Sequence, residues 1–209
     1  MFKQSLMELV GTFFIVFVAA SSGSPIGIAV TYAIFSYVGS HVSGGQYNPA
    51  LTFGLFTIGK LRGVKALSFI IAQLLGGALA LVAFTYLGGK DFIIKPSDSA
   101  TLMQAGLAEM MFTFLFVTTV LFTMISKKSA GNSYFGLVAG FTLLIGSLTV
   151  GPLSGGAFNP VLGVSSQIYR MIMGHGLVIE NVILYTIAPV LGALLAVQFY
   201  ELVVDKNDK

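Results

Sequence analysis

Two stretches decide the reading of the chain: Ser43-Gly44-Gly45-Gln46-Tyr47-Asn48-Pro49-Ala50-Leu51 and Ser154-Gly155-Gly156-Ala157-Phe158-Asn159-Pro160-Val161-Leu162, which stand 111 residues apart. In each, a Gly-Gly pair leads to Asn-Pro and then to an apolar run. Asn is a good helix N-cap. Pro suits the first helical position, where its missing N–H is not needed. The spacing predicts helices over Asn48 to Gly59 and Asn159 to Tyr169. At 1.5 Å per residue each spans about 17 Å, roughly half the hydrocarbon core of a bilayer. A lone Asn-Pro is ordinarily a turn signal. Two copies at matching places in apolar sequence read instead as half-length helices with defined N-termini.

Outward from these boxes, the match extends into an internal repeat. Met7-Glu8-Leu9-Val10-Gly11-Thr12-Phe13 aligns with Ala108-Glu109-Met110-Met111-Phe112-Thr113-Phe114, 101 residues on. Gln73-Leu74-Leu75-Gly76-Gly77-Ala78-Leu79 aligns with Pro189-Val190-Leu191-Gly192-Ala193-Leu194-Leu195, 116 residues on. Three matches in order, with slowly growing offsets, divide the chain into halves of about 1–95 and 96–209 within one domain over 1–209.

Composition sets the surroundings. Of 209 residues 56% are hydrophobic and only 9% charged, against about 25% charged in soluble domains. So few charges cannot cover a water-soluble surface. Spans are predicted at Gln4–Ser22, Pro25–His41, Val64–Leu87, Leu102–Ile125, Tyr134–Val150 and Leu177–Val203. The first could be read as a signal peptide, with Lys3 in front and Val18-Ala19-Ala20 as a cleavage site. Its length and the interrupting Glu8 favour a span. Each half then holds three spans and one half-helix. An odd number of spans inverts the second half, giving an all-α membrane protein with six transmembrane helices, two re-entrant half-helices and a pseudo-two-fold axis in the membrane plane. The 25 glycines, nearly twice the usual proportion of about 7%, suit close helix contact.

The basic residues orient this arrangement. With the N-terminus in the cytoplasm, Lys3, Lys60, Arg62, Lys65, Lys127, Lys128, Lys206 and Lys209 lie inside and Lys90, Lys95 and Arg170 outside. That satisfies the positive-inside tendency and puts both termini in the cytoplasm. A plasma membrane fits the compact loops. Cysteine is absent, which removes disulfides, thiolate nucleophiles and Cys-based zinc sites. His41 and His175 have no carboxylate at ligand spacing. His175 is expected to be solvated in an outside loop. No metal, no cofactor, no catalytic residue set and no nucleic-acid patch is expected, so the chain does not read as an enzyme.

The two half-helices enter from opposite sides, and their Asn-Pro ends are expected to meet near the midplane. Each end carries partial positive charge and unpaired N–H donors. Two such ends raise the energy of a cation or hydronium between them, while the asparagine amides can still donate to a neutral oxygen. That suits a path for small uncharged molecules with a barrier to protons.

The paired boxes, with Asn48, Pro49 and Ala50 in the first and Asn159, Pro160 and Val161 in the second, resemble the two Asn-Pro-Ala boxes of aquaporins, the major intrinsic proteins. The resemblance covers essentially the whole chain. It implies a homotetramer in a lipid bilayer, with one pore per subunit for water and small neutral solutes. It also implies that Glu8 and Glu109 accept hydrogen bonds from the re-entrant loops. The alternative for these carboxylates is a place near the interface, reaching water. His41 looks like the family's cytoplasmic-side pore histidine, the alternative being a satisfied buried histidine at a helix end.

The family's four-residue constriction, counted from the boxes, falls here on Ile28, Ser147, Gly156 and Leu162. Water-specific members are similar in carrying an aromatic, a histidine and an arginine there. Here no ring, histidine or charge is present, and Leu162 stands at the arginine position. Glycerol-type members resemble one another in an Asp after that arginine, where this chain has Gly163. A wider, more apolar constriction is expected, open to water, glycerol, urea, ammonia or neutral metalloid hydroxides such as arsenous acid. Two other classes compete. An ion-coupled secondary transporter would need a titratable group at the midplane. A structural junction protein with a silent pore would need an adhesive outer surface, and the loops are short.

Overall fold

In the computed structural model, which describes residues 1–204, every regular element among the described residues is helical. Lys206 and Lys209, counted above on the inside, lie outside the described residues. The order is α1 (Phe2–Ser22), α2 (Pro25–Gly39), α3 (Pro49–Thr57), α4 (Gly63–Tyr86), α5 (Leu102–Val120), α6 (Phe135–Ser154), α7 (Pro160–Ile172) and α8 (Ile179–Val203). Five of these are long and apolar enough to cross a membrane: α1, α4, α5 with its C-terminal extension, α6 and α8. The sixth expected span, α2, has 15 residues, about 22 Å of helix. It ends early because the backbone N–H groups of Val42, Ser43 and Gly44 all turn back onto the Gly39 carbonyl. The chain is thereby bent into the first re-entrant loop.

Boundaries differ from the sequence expectation in three further places. Helix α6 runs four residues past Val150, through Pro152 to Ser154, and stops where Gly155 takes φ 93°. Helix α7 continues past Tyr169 to Ile172. The last turn of the fourth span widens into a π-turn at Leu121–Ile125. There the Phe122 carbonyl accepts from Ser129 Oγ, and the Thr123 carbonyl from Asn132 Nδ2 at 2.6 Å. Side chains of the following turn thus satisfy carbonyls at the helix end.

Packing follows the repeat. Helix α1 lies on α4 as α5 lies on α8, α1 meets α2 as α5 meets α6, and α2 packs on α6 across the two halves. Each half-helix packs against the last spans of both halves, α4 and α8. Small residues let these backbones close. A Cβ on Gly76 would run into the Leu9 carbonyl and approach the Phe13 nitrogen of α1 to 3.1 Å. A Cβ on Gly192 would run into the Met110 carbonyl and approach the Phe114 nitrogen of α5 to 2.9 Å. The two contacts are repeat-mates. Large apolar side chains such as Leu67, Val82, Phe141 and Leu202 remain exposed around the outside, as a lipid-facing surface requires.

Gly192→Ala should therefore destabilise the detergent-solubilised protein by about 1–3 kcal/mol through overpacking, read as a lower melting temperature. Gly106→Ala on α5, where an added Cβ meets nothing within 4 Å, should be neutral or slightly stabilising through helix propensity. Equal melting curves for the two variants would contradict the contact.

Candidate functional site

The two Asn-Pro boxes meet. Asn48 and Asn159 both cap their helices with φ −149° and ψ 115°. Asn48 Oδ1 accepts from the Ala50 N–H at 2.9 Å, and Asn159 Oδ1 accepts from the Val161 N–H at 3.0 Å. Their amide nitrogens cross between the halves. Asn48 Nδ2 donates to the Phe158 carbonyl and Asn159 Nδ2 to the Tyr47 carbonyl, each at 2.9 Å. Pro49, Ala50, Pro160 and Val161 begin the helices behind them and are buried. Two helix N-termini, α3 from one half and α7 from the other, thus converge on a joined pair of caps.

The loops that present these caps are irregular backbone buried among the helices, so their donors need partners. Glu8 and Glu109 supply them. Glu8 Oε1 accepts from Ser43 Oγ at 2.6 Å and the Gln46 N–H at 3.0 Å. Its Oε2 accepts from the Tyr47 N–H at 2.6 Å and Gln73 Nε2 at 2.8 Å. Glu109 Oε1 accepts from Ser154 Oγ at 2.7 Å and the Ala157 N–H at 3.0 Å, and Oε2 from the Phe158 N–H at 2.6 Å. Both carboxylates are fully buried, so neither reaches water at an interface.

The same loops need unusual backbone. Gly44 and Gly45 take φ 98° and 64°, and Gly155 and Gly156 take 93° and 66°, a left-handed run open to glycine at little cost. Tyr47 and Phe158 also sit at positive φ, 50° and 47°, which costs a residue with Cβ about 1 kcal/mol or more. Each donates its N–H to a glutamate oxygen, which offsets that strain.

The four residues counted from the boxes come together. Ile28, Ser147, Gly156 and Leu162 line one cavity with Asn48, Asn159, Ile15, Tyr32, Leu143, Ala157 and Phe158. Its volume is ≈10 Å³, room for about one water centre, so the space is narrower than the residue list alone suggests. His41 lies elsewhere. It is exposed and lines a separate cavity of ≈340 Å³ with Ser40, Gly44, Thr123, Asn132 and Phe135. It is therefore neither buried nor beside the asparagines. His175 is exposed.

Three polar residues stand out that the motif reading passed over. Gln73 of α4 bridges Glu8 and Thr52 Oγ1, the latter at 2.9 Å. Gln46, two residues before Asn48, is buried with its amide oxygen unpartnered among the described residues. Tyr32 of α2 is buried, and its hydroxyl donates to the first re-entrant loop. Gln73 lay inside a recognised repeat segment and Gln46 inside the first box. Their contacts depend on helix packing that spacing does not reveal.

Comparison with known proteins agrees with this geometry. The family model for the major intrinsic protein matches residues 1–200. Nodulin-26 of Glycine max is 27% identical, over 97% of this chain and 78% of that protein. Glycerol uptake facilitator protein-like 6 of Lactiplantibacillus plantarum is 29% identical, over 93% of this chain and 94% of that one. Aquaporin AqpM of Methanothermobacter marburgensis is 28% identical, over 95% and 96%. Among solved structures, the aquaglyceroporin from Plasmodium falciparum superposes with a TM-score of 0.81 at 20% identity, covering 97% of this chain and 96% of that one.

Glu109→Gln should destabilise the fold by about 2 kcal/mol or more, since an amide in this place leaves a buried donor without an acceptor. The expected readout is a lower melting temperature together with loss of solute flux. A variant with unchanged melting and flux would contradict the bracing role of the carboxylate.

Proposed function

The chain belongs to the major intrinsic protein family, and from that premise we propose that it is a passive pore of broad neutral-solute selectivity. It passes water and small uncharged solutes such as glycerol, urea or neutral metalloid hydroxides, and excludes ions and protons. The observation that carries this reading is the lining of the cavity at the asparagine caps. Its side chains are mostly apolar, and its polar groups are the two amides and the hydroxyls of Tyr32 and Ser147. No Asp, Glu, His, Lys or Arg is among its lining residues. A fixed cation would add selectivity for small size, and Leu162 supplies none.

We assign the constriction to Ile28, Ser147, Gly156 and Leu162, and loop support to Glu8 and Glu109. His41 belongs in this reading to the inner vestibule, beside its own cavity, rather than to the narrow pore. Both termini face the cytoplasm, the membrane is the plasma membrane, and the assembly is a homotetramer with one pore per subunit. The names of the relatives support both water and glycerol as solutes, since they include aquaporins and a glycerol uptake facilitator. Ion-coupled transport fits less well, because the two membrane carboxylates are occupied in holding the loops.

The test is flux into proteoliposomes of wild type and Leu162→Arg, with water, glycerol, urea and arsenous acid compared in one preparation. The arginine adds five N–H donors to the constriction. The carbonyls of Gly155 and Gly156 have no donor among the described residues and can receive it. Glycerol permeability should fall more than water permeability, because steric cost rises with solute size. A well-folded variant with an unchanged glycerol-to-water ratio would mean that Leu162 is not at the constriction.

A further inference from the structure

We propose that Tyr32 forms a second, inner selectivity element, a barrier whose hydroxyl a permeating molecule must displace from the carbonyls of the first re-entrant loop. This rests on the channel reading above and adds a residue outside the four-position constriction. Tyr32 is 1% exposed and lines the cavity that holds both asparagines. Its hydroxyl donates to the Gln46 carbonyl at 3.2 Å and faces the Gly45 carbonyl at 3.5 Å. Its ring meets Phe116 edge-on, with centroids 5.2 Å apart, and Tyr47 at 6.3 Å. The ring is thus wedged between α5 and the first re-entrant loop, one turn of α2 past Ile28.

The repeat isolates what Tyr32 adds. Its mate, 111 residues on, is Leu143, which lines the same cavity and has no polar atom. In the second loop the carbonyls of Gly156 and Ala157, mates of Gly45 and Gln46, accept no hydrogen bond from the protein among the described residues. They are free to receive a passing solute. In the first loop the tyrosine takes that place. A hydroxyl on a carbonyl is the contact that water or a polyol would make there, so Tyr32 competes with the solute for the same acceptors.

The bonds are long against the usual 2.7–2.8 Å for O–H···O, hence weak and releasable. Gln46 Oε1 is buried in the same loop without a partner among the described residues. The ring sets the size limit, and the hydroxyl sets a toll on every passage. This accounts for a cavity of only ≈10 Å³ despite the small Ser147 and Gly156.

Stopped-flow permeabilities of proteoliposomes test this with wild type, Tyr32→Phe, Tyr32→Leu and Leu162→Arg. All are reconstituted at equal amounts after melting curves and size exclusion show folded protein. Tyr32→Phe keeps the ring and frees the carbonyls. It should raise water permeability up to about fivefold, the rate factor of one net hydrogen bond, with glycerol little changed. Tyr32→Leu, the residue of the repeat-mate, should raise water and glycerol together and raise the glycerol-to-water ratio.

Folded Tyr32 variants with wild-type permeabilities, beside a Leu162→Arg that shifts the ratio, would overturn the inner barrier and leave the channel reading intact. A fall in both permeabilities on Tyr32→Leu would also overturn it. Rates equal to protein-free liposomes for all four proteins would overturn the channel reading and the Tyr32 barrier with it.

Discussion

Polar backbone inside a bilayer must find its hydrogen bonds within the protein, and in this chain two buried carboxylates meet that requirement. Glu8 and Glu109 each gather a serine hydroxyl and two consecutive loop N–H groups. Without them, Gln46, Tyr47, Ala157 and Phe158 would present unpaired donors to an apolar interior, at about 1–3 kcal/mol each. With them, the loops hold a backbone that includes positive φ at Tyr47 and Phe158. The asparagine caps then face one another, and each amide reaches a carbonyl of the opposite half. The fold of the pore follows from that one arrangement, with α1 and α5 carrying the acids and α3 and α7 carrying the caps.

The two halves agree closely where they build this frame and diverge where they line the path. Asn48 and Asn159 share their backbone angles, and Gly76 and Gly192 share their close approach. Gln73, however, gives Glu8 a fourth donor, and its repeat-mate is Pro189, which has none to give. Tyr32 stands opposite Leu143, and Gln46 opposite Ala157. In the first loop the Gly45 and Gln46 carbonyls are therefore engaged by the Tyr32 hydroxyl. The second loop leaves acceptors open beside Leu162. The repeat fixes the frame, and the differences between repeat-mates make the path asymmetric.

How much of this was legible depends on range. The half-helices could be read because Asn-Pro carries its own capping chemistry, and the inversion because three segments recur in order. Glu8 and Glu109 were visible as mates within apolar runs, where a carboxylate is costly. Boundaries were less legible. The end of α2 is set by a turn onto Gly39, and α6 continues through Pro152, against local propensity. The π-turn at Leu121–Ile125 depends on Ser129 and Asn132 in the next segment. Gln73 and Tyr32 carried no signal, since their roles arise from contacts 65 and 14 residues away in sequence. His41 lay close to Asn48 in the chain, but the turn after α2 leaves it at the surface.

The central claim is that two braced helix N-termini at one point admit neutral molecules and repel positive charge, even with Leu162 in place of a cation. The most direct measurement compares proton and water fluxes in pyranine-loaded proteoliposomes under a pH gradient and an osmotic gradient. Water flux well above that of protein-free liposomes, with proton flux at the protein-free rate, is the result expected. A proton flux that rises in step with the amount of reconstituted protein would contradict the account.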